Sequence, residues 1–272
     1  MRASTLARLA PARRGTFRRW WMPACGALIG ALSAIGHAAT AEAWRDARQM
    51  VVVVTDGWNA DRGSLQAFAR EGDGRWRPVG APAPVTIGQH GAAWGLGLAA
   101  THPADGPLKR EGDGRSPAGV FRIGMAFGYA PRADTALPYR ALGADDWCVD
   151  VGTSPHYNRI VDAAVVGKAA VAGASEPMRR DLHFAGDQRY RLGFVIEHNA
   201  QQRPNAGSCI FAHLWAAPDD ATVGCTAMAA DTMRRLLAWL KPQKRPVFVL
   251  LPRRTYAALQ ADWQLPVLKD DR

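Results

Sequence analysis

The chain has 272 residues, 48% of them hydrophobic, and a formal charge of +10. That apolar share excludes a chain too polar to bury a core, and the length favours one large or two small domains, of which one is expected. The charge first suggests nucleic acid or a membrane surface. However, Arg2, Arg8, Arg13, Arg14, Arg18 and Arg19 all precede the first acidic residue, Glu42, and the rest carries a formal +4. No nucleic-acid partner is expected.

The arginine-rich start leads into an apolar run from Trp20 to Ile35 and then into Ala39-Thr40-Ala41. A charged region, an apolar region and an Ala-x-Ala exit are the layout of a secretory signal peptide, here residues 1–41. Pro23 and several glycines interrupt the run, which is short for a span, so no stable membrane span is expected after signal removal. Export places the remainder in the periplasm or cell envelope, an oxidising compartment where cysteines pair. Cys25 leaves with the signal, and Cys148, Cys209 and Cys225 remain. An odd number leaves a thiol over. Either one disulfide accompanies an inert buried thiol, or Cys148 pairs with Cys209 and Cys225 is left as a working thiolate.

From residue 49 the chain is strand-like. The run 50–55 is apolar and β-branched and is bounded by Asp56-Gly57. Further short runs follow at 64–69, 76–79, 85–87 and 94–98, separated by glycines and prolines. Many short strands with frequent turn signals argue for a mostly β chain, a sandwich or a barrel-like sheet. Glu-Gly-Asp-Gly-Arg occurs at 71–75 and again at 111–115. It reads as one tight turn used twice, since neither copy has enough oxygen ligands for calcium. The second copy feeds a strand at 116–121. Residues 145–191 are irregular and read as an insertion or cleft-forming loop, with His156 and His183 at its surface.

Order returns with strands at 192–197 and 208–213. Met233, Leu236, Leu237 and Leu240 then fall at helical spacing, with Asp231 near the start and Lys241-Pro242 at the end. A buried strand at 247–251 and a short helix at 255–263 complete the chain.

A thiol after a glycine, with a histidine on the preceding apolar run, is the minimum set for a Cys-His nucleophile: Gly224, Cys225 and His213. A free cysteine is mostly thiol at neutral pH, so a catalytic one needs a base or a positive field. His213 supplies the base if its strand runs beside the turn carrying Cys225, and Gly224 lets the backbone turn sharply and a carbonyl approach. Two other readings stay open, a structural thiol beside a core histidine and a zinc site of Cys209, His213 and Cys225. Against zinc, residues 209 and 213 on one strand are roughly 13 Å apart.

The segment Gly207-Ser208-Cys209-Ile210-Phe211-Ala212-His213, followed by Thr222-Val223-Gly224-Cys225, resembles the L,D-transpeptidase catalytic domain of the YkuD family, in its divergent ErfK/YbiS-like branch. Lys109 through Phe121, Ser154-Pro155-His156-Tyr157-Asn158 and the helix after Cys225 extend the resemblance, which makes 42–272 a single domain. It implies a β-sandwich of the L,D-transpeptidase type with a few short helices, one following the nucleophile. It also implies a monomer with no cofactor and no metal, acting on peptidoglycan stem peptides. Cys225 would attack the carbonyl before the terminal D-alanine of a tetrapeptide stem and form a thioester. An amine would then resolve it to a 3-3 cross-link, or water would give L,D-carboxypeptidase or amidase activity. A non-catalytic cell-wall-binding protein with the same fold is the alternative of another class. His213 would be the general base and acid. Ser208, Thr222, Arg203 and His198 would face substrate. The family pattern has a histidine before the glycine and an arginine two places after the cysteine. Val223 and Ala227 stand there instead, so Arg203 or another cation would have to take the arginine's place, or the substrate differs.

Overall fold

The computed structural model describes residues 43–103 and 105–268; the expected signal peptide lies outside the described residues. In chain order the strands are β1 (Gln49–Thr55), β2 (Arg62–Arg70), β3 (Trp76–Thr86), β4 (Ala92–Trp94), β5 (Ser116–Gly128), β6 (Tyr139–Ala141), β7 (Asp146–Cys148), β8 (Ile160–Asp162), β9 (Glu176–Pro177), β10 (Leu192–Ile196), β11 (Phe211–Leu214), β12 (Thr226–Met228) and β13 (Val247–Pro252). Helices are few and short: α1 (Ala163–Val166), α2 (Arg180–His183), α3 (Ala230–Trp239) and α4 (Arg253–Leu259).

The four consecutive valines of β1 are stiff at χ1 and favour extended backbone. All seven positions of β1 are buried, as are all six of its parallel partner β13. Burial on both faces requires structure on each side, and α4 packs against both strands. The short-strand pattern admitted a sandwich or a barrel, and the pairing observed closes a ring of eight in the order β10-β11-β12-β3-β2-β1-β13-β5. The thirteen-residue β5 closes it. Gly119 to Arg122 pair with β13, and Ile123 to Gly128 pair with β10. A closed ring leaves no long unpaired edge.

The run at 76–79 and residues 85–86 of the next belong to the single strand β3, which carries Pro78, Pro82 and Pro84. Proline cannot donate to a ladder. β3 tolerates three because beyond β2 only Val85 and Thr86 meet another strand, β12. The strand expected at 208–213 starts later, at Phe211, because Cys209 adopts a left-handed φ of 54°. α3 buries Met233, Leu236 and Leu237 and ends before Lys241-Pro242, as the proline dictates. The helix expected at 255–263 starts earlier and is shorter, and Trp263 is buried in the turn beyond it.

Residues 145–191 contain a second sheet, ordered β8-β7-β9, that the sequence reading treated as irregular. Cys148 at the end of β7 is disulfide-bonded to Cys209, with Cα atoms 5.9 Å apart. Asn158 adds a polar tie: its side-chain oxygen accepts the Cys209 N–H at 2.9 Å, and its side-chain nitrogen donates to the carbonyls of His198 and Asn199. Both Glu-Gly-Asp-Gly-Arg segments are turns capped by their own aspartates, Asp73 onto Arg75 N–H and Asp113 onto Arg115 N–H. Among the described residues no helix is long and apolar enough to cross a membrane.

Candidate active site

β11 and β12 run parallel, with His213 opposite Ala227 and Ala212 opposite Thr226. Alternation along a strand therefore sets Cys225, two residues before Ala227, on the same side of the sheet as His213. The turn before Cys225 is held from two directions. The Thr222 hydroxyl donates to the Cys225 carbonyl at 2.6 Å and accepts the Gly224 N–H at 3.1 Å. The Ser116 hydroxyl donates to the same carbonyl at 2.8 Å and accepts the Gly88 N–H at 2.9 Å. Gly224 has φ +154°, and a Cβ there would lie 3.2 Å from the Arg115 carbonyl oxygen.

The Cys225 sulfur accepts the Phe211 N–H at 3.3 Å, and its thiol donates to the Cys209 carbonyl at 3.5 Å. Burial, followed by the charge of Glu176, pushes the thiol up to about 12, against the Phe211 N–H, Lys109 and Tyr190. Burial lowers His213 to about 4, opposed by its hydrogen bond to Leu214. His213 Nδ1 lies 2.7 Å from the Leu214 carbonyl. That contact requires a proton on Nδ1, leaving Nε2 as the free acceptor of a neutral imidazole. Among the described residues no hydrogen bond joins the His213 ring to the sulfur directly, and burial favours the neutral form of each partner.

Cys225 opens on a cleft of about 250 Å³ that is also lined by Gln89, Lys109, Glu111, Asp150, Glu176, Ser208 and Gly224. A more apolar cavity of about 300 Å³, lined by Phe68, Pro78 and Leu268 among others, has neither a cysteine nor a histidine in its lining. Ser208 faces the cleft, but its hydroxyl is engaged by Glu111 at 2.8 Å. The same Glu111 oxygen accepts from the Tyr157 hydroxyl. Lys109 is buried and paired with Asp113.

Three of the residues expected to face substrate do not line this cleft. Thr222 is buried and spends its hydroxyl on the nucleophile turn. His198 is buried too, its Nδ1 accepting the Leu96 N–H at 3.2 Å and its Nε2–H donating to the Ala206 carbonyl at 2.9 Å. Burial lowers its pKa to about 4, so it is a neutral brace between loops. Arg203 is exposed, with its guanidinium on Gln201 at 3.2 Å. The zinc arrangement fails for a covalent reason, since Cys209 is consumed by the disulfide.

The sequence does not single out Ser116 as a brace, nor Glu176, which lines the cleft from the second sheet, nor Tyr190, whose ring packs on His213 from the turn Arg189–Arg191. Neither of the last two sits in a periodic pattern, so only the folded chain brings them to the thiol. Comparisons with protein-family models, with curated proteins and with solved structures find no match for this chain.

Proposed function

We propose that the protein is an exported cysteine acyltransferase of the L,D-transpeptidase type, acting on peptidoglycan tetrapeptide stems. The observation that carries this reading is the Gly224-Cys225 turn, braced by Thr222 and Ser116, which presents a thiol to a cleft with His213 on the same side of the sheet. The disulfide supports export, because such bonds persist in oxidising compartments. That the eight-stranded ring is a form of the L,D-transpeptidase sandwich is part of the same proposal.

In this mechanism the thiol proton passes to His213 Nε2 as sulfur attacks the carbonyl before the terminal D-alanine. With both partners neutral at rest, proton transfer accompanies attack and does not precede it. Collapse of the tetrahedral intermediate leaves a thioester, and the imidazolium returns its proton to the departing D-alanine amine. His213 then deprotonates the acceptor, an amine for a 3-3 cross-link or water for carboxypeptidase activity. The Gly224 N–H is taken by Thr222 and does not serve the oxyanion.

The test is to incubate the purified chain with a carbapenem and look for an adduct on Cys225 by mass spectrometry, alongside D-alanine release from tetrapeptide muropeptides. Absence of both sinks the enzyme reading. It would favour the second one, a cell-wall-binding protein with an inert thiol, which the burial of Cys225 and its raised pKa support.

A further inference from the structure

We propose that the groove between the β1, β2 and β3 strands and the chain that follows α4 binds a single-chain zwitterionic amphiphile, its headgroup an ammonium beside a phosphate. The proposal does not depend on the cysteine reading, since no residue that lines this groove lines the Cys225 cleft.

Strand register sets the floor of the groove. Val52 pairs with Gln66, Val54 with Ser64 and Phe68 with Pro78, so alternation places these side chains on one face. Pro82 and Leu268 extend the apolar lining around a cavity of about 300 Å³, at the lower end of the volumes that hold small ligands.

The opposite wall is held in place by hydrogen bonds. Four successive carbonyls after α4 each receive a side-chain donor: Trp263 from Trp44 Nε1–H at 3.0 Å, Gln264 from Trp76 Nε1–H at 3.0 Å, Leu265 from the Gln260 amide at 2.7 Å and Pro266 from the Tyr256 hydroxyl at 2.7 Å. A segment with neither helix nor strand is thereby fixed, and Val267 and Leu268 continue from it along the groove. Val267 is 78% exposed there, and an apolar tail in the groove covers it. The four residues that follow, Lys269-Asp270-Asp271-Arg272, are all charged and offer no apolar side chain to take that place.

The charged end follows from the parallel pairing of β1 with β13. Thr55 pairs with Pro252, so the next residues, Asp56 and Arg253, stand side by side where the two strands end. Both line a second cavity of about 330 Å³. Val54, Ser64 and Arg253 line both cavities, so the charged one adjoins the apolar one. Arg62, in the same lining, is engaged by Asp61 and Asp219. Among the described residues Asp56 and Arg253 form no ion pair, with each other or with any other group. A guanidinium matches a phosphate through its forked N–H donors, and a carboxylate matches an ammonium. A head with an anion alone faces Asp56, and one with a cation alone faces Arg253; a zwitterion complements both. From Val54 to the row of Met50 and Phe68 the floor runs roughly 13 Å, the reach of a tail of about ten carbons.

The experiment uses the full chain and lauroyl lysophosphatidylethanolamine below its micelle concentration, with affinity read by isothermal titration calorimetry. Dodecyl phosphate and dodecylamine carry a tail of the same length with one charge each. The zwitterion should bind about tenfold tighter than either, the scale of one charge-assisted contact. Arg253→Ala should weaken it about tenfold, and Asp56→Asn should erase its advantage over dodecyl phosphate. Leu268→Asp sets a charge against the tail and should weaken all three amphiphiles. None of the three positions is buried, so the variants should keep the wild-type melting temperature. Equal binding by the wild type and Leu268→Asp overturns the proposal, as does equal affinity for the zwitterion and dodecyl phosphate. So does an absence of binding, or binding to phosphatidylethanolamine vesicles without binding to the monomer, which makes this face a bilayer contact. A dimer seen by analytical ultracentrifugation that dissolves in Leu268→Asp assigns the groove to a second copy and overturns the proposal too.

Discussion

Ser116, in the strand that closes the barrel, donates its buried hydroxyl to the backbone carbonyl of Cys225 at 2.8 Å. The longest strand of the ring and the nucleophile turn therefore share one hydrogen bond, and the same oxygen accepts the Gly88 N–H. Ser116→Ala strands that N–H and removes one of two hydroxyls on the carbonyl. The expected loss is about 1–3 kcal/mol, read as a lower urea midpoint, together with slower carbapenem acylation. An unchanged midpoint would mean that Thr222 alone holds the turn.

The disulfide joins positions 61 residues apart. Loop-closure entropy for a ring of that size gives about 4 kcal/mol. The Cys148→Ala/Cys209→Ala double variant should lose stability of that order in denaturant. Titration of thiols in an unreduced, denatured chain lacking residues 1–41 should count one, that of Cys225.

Two buried histidines set the response to acid. His213 and His198 are each lowered to about 4 from the ordinary 6.5. The unfolded chain therefore binds more protons than the folded one between about pH 6.5 and 4, and stability falls across that window as pH drops. Each contributes up to about 3 kcal/mol. Denaturant melts at pH 7.5 and 4.5 should differ by several kcal/mol. His198→Gln should flatten the difference without abolishing alkylation of Cys225.

Arg203 is exposed and bonded to Gln201, away from the cleft lining. Arg203→Ala should leave KM for a tetrapeptide stem within about twofold, a surface substitution having little effect. A tenfold rise in KM would return Arg203 to the site.

Some of this architecture was legible in the sequence, and the reasons for the rest are physical. β1 and β13 announce themselves because consecutive β-branched or apolar residues have few conformational options. The pairing of His213 with Cys225 was readable as chemistry because few residue types can be nucleophile and base. Ring closure was not readable, since it depends on β5 pairing with β13 over one stretch and β10 over the next. Nothing in a one-dimensional pattern encodes that stagger. The prolines of β3 cut one strand into two apparent runs. The resemblance set His198 against substrate, whereas here Leu96 and Ala206 close over it. Glu176 comes to the cleft on a small sheet whose strands are two or three residues long, and Tyr190 comes to His213 on a three-residue turn, all below the length at which periodicity exists.

Cys209 is bonded covalently to the small sheet through Cys148, and its carbonyl accepts the hydrogen bond of the Cys225 thiol. One wall of the cleft is thus secured by a bond made after synthesis, and the other by barrel pairing that needs no oxidant. A chain still reduced can form the ring around β1 and β13 while lacking the covalent tie between Glu176's sheet and the thiol's acceptor. Reduction is therefore expected to release one wall of the cleft while leaving every strand pairing of the ring in place.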